Sequence, residues 1–598
     1  MAEIPLLATT ALEDTWGEDE NLVFLGEWCR LYDRRDAWRR RSHTVVPNHW
    51  NDRSKLRRDN DYLDSLHESL LEDLASVLNR YHGMDRPVRY WRMVLDPWLL
   101  TYVAVIFNRW ECLRVAGETH CEMTSVALRD LDYQAPSTDC FGFIEDAAFS
   151  SAWNYRTCLR ILRSVHARLR VNLIEVAGPQ PSTTSNEGSS ARRPEDALSS
   201  RKRLLLAVAK AVDFGISKFT RRNKVVFYAS YFRVPALVRL NLALRQIPRM
   251  YLNEFEYPRR KHGMRALPVE TSGRSALCLA REDRTGFEAF IADQLVHDMP
   301  VAYVEEFPSL LDRARSLRMT PRIICSANAH WGNEAFKVWA AEQVMSGAKY
   351  FALEHGGSFP PLFDSMSFEE KISDRKIVWG RPYHANQVSL PANKLVTRSF
   401  ASTGEYCSVI GQESPLFPYR ATAGPIAEQT LTCHSMVCDL YFLLDARVQR
   451  AFRVKPYPDS GWNTRQRYID RLGADKVFER SHYYGVLAQS RLVICTYPNT
   501  TYSEAIVTEL PTLLVYPLEL WETVPEMDAL LDVLRSARLV FHDAGAAATH
   551  VNSIWDDLDR WWSSAQVVQA RAEFRVQALN MDSDWVERWS KFLAGACS

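Results

Sequence analysis

Residues 349–357 read Lys349-Tyr350-Phe351-Ala352-Leu353-Glu354-His355-Gly356-Gly357. An apolar run that closes on a charged pair and two glycines has the form of a buried strand followed by a tight turn. Immediately upstream, Asn333 to Met345 carries a helical pattern, and before it Pro321 to Ala327 (PRIICSA) is another apolar strand. Strand, helix, strand at this spacing predicts a parallel α/β layer. It extends backwards through a helix at about Val234 to Leu244 to the strand Lys224 to Ala229 (KVVFYA).

A second series begins after Trp379: YCSVIG (406–411), MVCDLYFLL (436–444), AFRVKPY (451–457), RLVICTY (491–497), PTLLVYP (511–517) and ARLVFHD (537–543). Read as strands, these predict a second α/β layer. Two layers whose strand carboxyl ends share a cleft predict a ligand between them. Towards the amino terminus, Ile4 to Ala8 and Asn21 to Leu25 read as two buried strands. From about 28 to 173 the period turns helical, as in the stripe Leu66, Leu70, Leu71, Leu74 and Leu78, so a large helical insertion is expected there. Residues 178–200 are rich in Ser, Pro and Gly and read as a flexible loop. The tail from Asp582 reads as an amphipathic helix crossing back to the first layer. The expected domains are therefore 1–380, 381–580 and a terminal helix at 581–598.

Composition narrows the function. Lys+Arg and Asp+Glu are 73 each, which removes any global electrostatic case for nucleic-acid binding. The twelve Cys form no metal-spaced cluster and no leader precedes the first strand, so reduced thiols and a cytoplasmic protein are expected. The longest apolar run, Trp98 to Phe107, is far short of the roughly 18 apolar residues a spanning helix needs and reads as buried core. The cationic run Arg34 to Arg41 with its embedded Trp38 reads first as a solvated face and second as a contact for anionic lipid. Eighteen Trp suit sugar stacking as a set, but each one taken singly is more simply a large buried side chain. No GxGxxG, P-loop, HExxH or GxSxG motif occurs, which counts against dehydrogenase, P-loop nucleotidase, zincin and α/β-hydrolase chemistry.

Four segments can carry chemistry. His355 stands at a strand carboxyl end where an imidazole takes a proton near neutral pH, and the alternative is a core histidine with the glycines serving only the turn. Ser326, Asn328 and His330 precede a helix start suited to an anion, or serve only as caps. Lys455 at the end of a strand can meet a phosphate, with Tyr457 between two prolines. Asn499, Thr500, Thr501 and Ser503 open a helix after the strand RLVIC and make a phosphate cradle or ordinary caps, and Glu504 one turn in can accept hydrogen bonds from a ribose.

Together these residues resemble a known family. The blocks Leu6 to Tyr32, Tyr90 to Leu113, Trp153 to Leu159, Ser326 to Phe359 and Ile372 to Gly380 resemble the LIC-type surface-carbohydrate transferases. That family is distantly similar to the GT-B glycosyltransferases of capsule assembly, Kdo transferases among them, and to CDP-glycerol glycerophosphotransferases. The resemblance implies a GT-B-like α/β fold, two Rossmann-like domains facing a cleft. It implies a metal-independent glycosyltransferase without cofactor, using a nucleotide sugar, CMP- or CDP-linked, to extend a capsule, an O-antigen or a lipid-linked glycan, at the cytoplasmic membrane face. His355 and Gly356 match the family's His-Gly element, where the relatives have Gln in place of Glu354, so Glu354 either orients the imidazole or holds a cation. Lys455 to Pro458 match a segment that often reads Lys-Pro-His-Pro in the relatives; Tyr457 replaces the histidine and stacks or hydrogen-bonds. Asn499, Thr500, Thr501, Ser503 and Glu504 match the donor phosphate and ribose segment. The acceptor is expected on the first domain near Glu27, Trp28, Ser326, Asn328, His330, Gly356 and Gly357, with His355, Glu13, Asp14 or Glu27 removing its proton. Transfer of a phosphorylated polyol or ribosyl phosphate, and a non-catalytic glycan scaffold, are the alternatives.

Overall fold

The structure, a computed structural model, describes residues 4–17, 21–120, 122–131, 135–177, 200–256, 271–279, 281–357, 359–364, 367–398, 402, 404–479 and 482–597. The Ser/Pro/Gly-rich stretch at 178–199 lies outside the described residues.

The described strands form three five-stranded sheets, each parallel throughout. The first holds β1 (Leu6–Ala8), β2 (Leu22–Phe24), β3 (His43–Val45), β4 (Met123–Leu128) and β5 (Val171–Val176), in the order β3-β2-β1-β4-β5. The second runs in simple sequence through β6 (Val225–Phe227), β7 (Ile323–Ser326), β8 (Lys349–Leu353), β9 (Arg375–Val378) and β10 (Gln387–Ser389). The third holds β11 (Tyr406–Ile410), β12 (Phe452–Lys455), β13 (Ser490–Cys495), β14 (Thr512–Val515) and β15 (Val540–Phe541), in the order β12-β11-β13-β14-β15. Central strands such as β7 and β14 are buried along their whole length, as parallel strands covered on both faces must be. The α/β class is the expected one, with Rossmann-like layers of parallel strands.

Two readings are corrected. The stretch 28–173 is mostly helical but also carries β3, β4 and β5, which pair with β1 and β2 into a third Rossmann-like sheet. Short strands between long helices leave little alternating pattern, and the helical period dominates. MVCDLYFLL is not a strand but the carboxyl half of the helix Gln429–Leu443. Cys433, His434, Val437, Cys438 and Leu440 are buried along it at helical spacing, and a short apolar run does not by itself separate the two periods.

Two long helices support the first sheet. In Arg53–His82 the side chain of Asp52 accepts the Lys55 N–H at 3.0 Å, the five-leucine stripe is buried, and Gly83 closes the helix in the left-handed region (φ 63°). Val88–Thr119 contains Trp98 to Phe107, which is core. No helix among the described residues is long and apolar enough to cross a membrane. The terminal helix Trp585–Ala596 packs Trp585, Trp589 and Leu593 against β6, β7 and β8 of the second sheet. Trp16, Trp28, Trp91, Trp98, Trp110, Trp153, Trp379 and Trp462 are buried and Trp331 is half-buried.

Candidate active site

β8 ends at Leu353, and the Glu354 backbone N–H donates to Ile377 O at 2.8 Å, continuing the pairing with β9. The Glu354 carboxylate accepts the Trp379 N–H at 2.5 Å, so it straps the ends of β8 and β9 together. A Cβ on Gly356 would lie 1.9 Å from Thr500 Oγ1. Gly357 adopts φ +135° and its carbonyl accepts the Ser503 hydroxyl at 2.7 Å. The two glycines therefore permit a close approach between the second and third layers: the His-Gly-Gly turn and the hydroxyl-rich helix Thr500–Ile506 touch.

His355 lies against Tyr231, ring centroids 6.0 Å apart and planes 21° from parallel. Burial lowers the imidazole pKa, and the charges of Lys376 and Lys394 push the same way against Glu369. A neutral imidazole at pH 7 is the form that accepts a proton. Tyr231 (φ 62°) and Ala229 (φ 47°) are two non-glycine residues in the left-handed region within one short loop after β6, a local strain of the kind that clusters at functional sites. Asn328 Nδ2 donates to the Tyr231 hydroxyl at 3.0 Å, and Asn393 Nδ2 to Ser230 O at 2.6 Å.

Lys394 ties the layers together electrostatically. Its ammonium sits 5.7 Å from the centre of the Tyr231 ring and 2.6 Å from Glu504 Oε1. The other Glu504 oxygen accepts the Tyr484 hydroxyl at 2.9 Å, so this buried carboxylate is held between two partners. His330 is likewise interior: Nδ1 meets the Tyr350 hydroxyl at 2.8 Å and Nε2 meets Glu369 Oε1 at 3.0 Å. The Ser326 hydroxyl accepts the Ala329 N–H at 3.1 Å, and Thr501 O accepts the Tyr483 hydroxyl at 2.7 Å. Lys455 is half-buried, and burial lowers its pKa.

A cavity of 440 Å³ opens at the carboxyl end of the third sheet. Its walls come from Gln412 and Glu413 after β11, Tyr457 after β12, Tyr497, Pro498 and Asn499 after β13, and Trp521 after β14. Neighbours β11 and β13 lead their chains to opposite sides of the sheet, so the cavity occupies the topological switch point, where open α/β sheets hold ligands. Phe359 and Asp364 of the second layer and Phe149 of the first close it. The Tyr497 and Trp521 rings lie 6.3 Å apart and 21° from parallel. Among the described residues, Trp521 Nε1 and Gln412 Oε1 are buried without a hydrogen-bond partner. Burial pushes the Glu413 carboxyl up to about 7, against hydrogen bonds from the Thr464 hydroxyl and the Ser460 and Trp462 N–H groups. Asn499, which lines the cavity, caps the helix, its Oδ1 accepting Thr500 N–H at 2.7 Å, and Thr500 is the residue that Gly356 approaches.

The first layer supports this cavity from behind. Trp28 is buried, donates Nε1–H to Thr9 O at 3.0 Å and packs on Phe417 at 5.5 Å. The buried Arg109 guanidinium bonds Asn154 Oδ1 at 2.8 Å, Ala147 O at 2.9 Å and Pro418 O. Glu27 pairs with Arg30. Glu13 and Asp14 are exposed; Glu13 lines a separate open depression with Trp16, Arg40 and Arg41, and the structure does not bring it to the cavity. The cationic run is partly used in packing: Trp38 donates Nε1–H to Leu31 O at 2.9 Å, and Arg41 to Trp16 O at 3.3 Å. Tyr231, Lys394, Gln412, Glu413 and Trp521 escaped the sequence reading; only Gln412 and Glu413, polar residues directly after a strand, carried a local signal.

No curated protein matches this chain. Among solved structures, a mutant of the Thermobaculum terrenum O-GlcNAc transferase is 12% identical, with 90% of this chain and 98% of that one covered at a TM-score of 0.33. The UDP co-structure of S. aureus MnaA is 9% identical, covers 49% of this chain and 80% of that one, and scores 0.33. The wall teichoic acid polymerase TagF soaked with CDPG is 8% identical, covers 66% and 97%, and scores 0.28. These are distant likenesses. The model of one family, described as the LIC12162 family transferase, matches residues 5–593. That match takes in all three sheets, the His-Gly-Gly turn and the switch-point cavity, and the chain belongs to the LIC12162 family of transferases.

Proposed function

We propose that this transferase moves a sugar from a nucleotide-activated donor, CMP- or CDP-linked, to a surface-polysaccharide or lipid-linked glycan acceptor. The observation that carries the reading is the 440 Å³ cavity at the β11/β13 switch point, lined by the near-parallel rings of Tyr497 and Trp521. A pyrimidine stacks on the Tyr497 and Trp521 rings. The donor phosphates point to Asn499 and Thr500, and Lys455 offsets charge on the leaving phosphate. Neutral His355 takes the proton of the acceptor hydroxyl, whose oxygen bonds the anomeric carbon as the bond to phosphate breaks. Closure of the second layer on the third excludes water that would otherwise hydrolyse the donor. The lipid-linked class of acceptor places the enzyme at a membrane face.

Thermal melting with CMP, CDP and UDP tests this. A nucleotide at about 100 times its Kd is expected to stabilise the protein by about 2.7 kcal/mol, and Trp521→Ala is expected to reduce that gain. No stabilisation by any of the three would refute the reading. Mass spectrometry of the product then separates a transferred glycosyl group from a phosphorylated polyol or ribosyl phosphate.

A further inference from the structure

Among the described residues, the helix Ser200–Ser217 is held to the protein at Lys210 and Asp213. The buried Asp213 carboxylate accepts the N–H groups of Met250 and Tyr251 at 3.1 Å and of Leu252 at 3.0 Å, and Asn253 Nδ2 donates to Lys210 O at 3.0 Å. Lys210 also pairs with Glu256. Leu204, Leu205, Val208, Val212 and Phe214 are each more than half exposed, and Leu206, near Asp213 on the helix, is 41% exposed. Positions 204, 208 and 212 advance by about 40° per step, so these side chains make one continuous stripe along three turns, filled in by Ala207, Ala211 and Gly215. Phe219, just past the helix, is 74% exposed. Contiguous exposed apolar side chains mark surfaces that meet a partner or a membrane.

Charge decides what covers it. Residues 200–224 contain eight Lys or Arg and a single acid, Asp213, which is buried on the docked face. Arg203 at one end of the stripe and Lys218, Arg221 and Arg222 at the other are exposed. An aliphatic and aromatic stripe with cations at both ends is the pattern of a helix lying in a membrane interface, its apolar side among the acyl chains and its cations at anionic headgroups. The helix is not long and apolar enough to cross. We infer that Ser200–Ser217 docks the enzyme onto an anionic phospholipid surface. The inference deepens the reading of a lipid-linked acceptor by naming the surface through which the enzyme meets it, yet it depends on no step of the transfer and on no residue of the cavity.

Flotation of the full chain with phosphatidylglycerol/phosphatidylethanolamine vesicles tests it, with phosphatidylcholine vesicles as the neutral control. The wild type is expected to float with the anionic vesicles, more weakly with the neutral ones, and less as salt is raised. The double variant Leu204→Glu, Val208→Glu is expected to lose more than about tenfold in vesicle affinity, because two side chains that would be buried in acyl chains become anionic. Its melting temperature and its nucleotide-induced melting shift are expected to stay unchanged. Should that variant melt early, Arg221→Glu, Arg222→Glu is scored by the same flotation. A wild type that ignores anionic vesicles, variants that float as well as wild type, or a variant that splits a dimer in light scattering while floating normally would each overturn the proposal, the last assigning the face to a second copy. A failed nucleotide shift with intact flotation would instead strike only the transfer reading.

Discussion

His355 combines a lowered pKa with a stacked, half-buried ring, and both follow from where the β8 turn meets the Tyr231 loop. His355→Ala is expected to cost roughly 10²–10⁴-fold in kcat with the melting temperature kept, and a variant with full transfer activity would remove it as the base. The pH dependence follows from the same burial. A depressed pKa keeps the free base present below the ordinary imidazole value of about 6.5, so the acid limb of kcat/KM is expected to lie below that value. Stability moves in a related sense: the unfolded chain takes up this proton more readily than the folded one, so the contribution of His355 is neutral above about 6.5 and unfavourable as pH falls towards the folded pKa. Denaturant titrations of wild type and His355→Ala across this range check the sign, the variant losing less stability on acidification.

At the scale of elements, the contact between the β8 turn and the helix Thr500–Ile506 leaves no room for a side chain. Gly356→Ala is expected to push the layers apart and cost about 1–3 kcal/mol, with a matching fall in transfer rate. Thr500→Ala removes the Oγ1 that the new methyl would strike at 1.9 Å but leaves Thr500 Cβ at 3.0 Å, so partial rescue is expected in a double-mutant cycle. Purely additive losses would show that the two segments do not meet in solution. The strand β8 and its glycines were legible from sequence, because an apolar run ending in Glu-His-Gly-Gly has one simple folding. What the glycines face was not, since Thr500 lies far along the chain. The helix Gln429–Leu443 was misread for a related reason: the choice between periods was settled by packing against the helix Ala544–Ile554, which no local window contains.

Across the whole molecule, three Rossmann-like sheets meet around one cavity, and the terminal helix closes the second sheet from its far side. Trp589 is fully buried there, edge-on to Phe232 at 5.1 Å, with its Nε1–H on Pro391 O at 2.9 Å. Trp589→Ala is expected to destabilise the protein by about 3–5 kcal/mol, read as a lowered midpoint of urea unfolding, while nucleotide binding in the third-layer cavity is retained. The amino-acid sequence by itself determined the α/β class, the strands β6 to β8 and β11 to β15 apart from the one misread helix, and the His-Gly-Gly and Thr-rich segments, because periodicity, turn residues and caps act over a few residues. Only the tertiary structure decided that the first layer is a sheet of its own, that Glu504 belongs to Lys394 and His330 to Glu369, and that Gln412, Glu413 and Trp521 share a cavity. Those outcomes depend on which buried charges and unpaired polar atoms find one another across hundreds of residues, and that pairing is settled by burial and geometry rather than by neighbours in the chain.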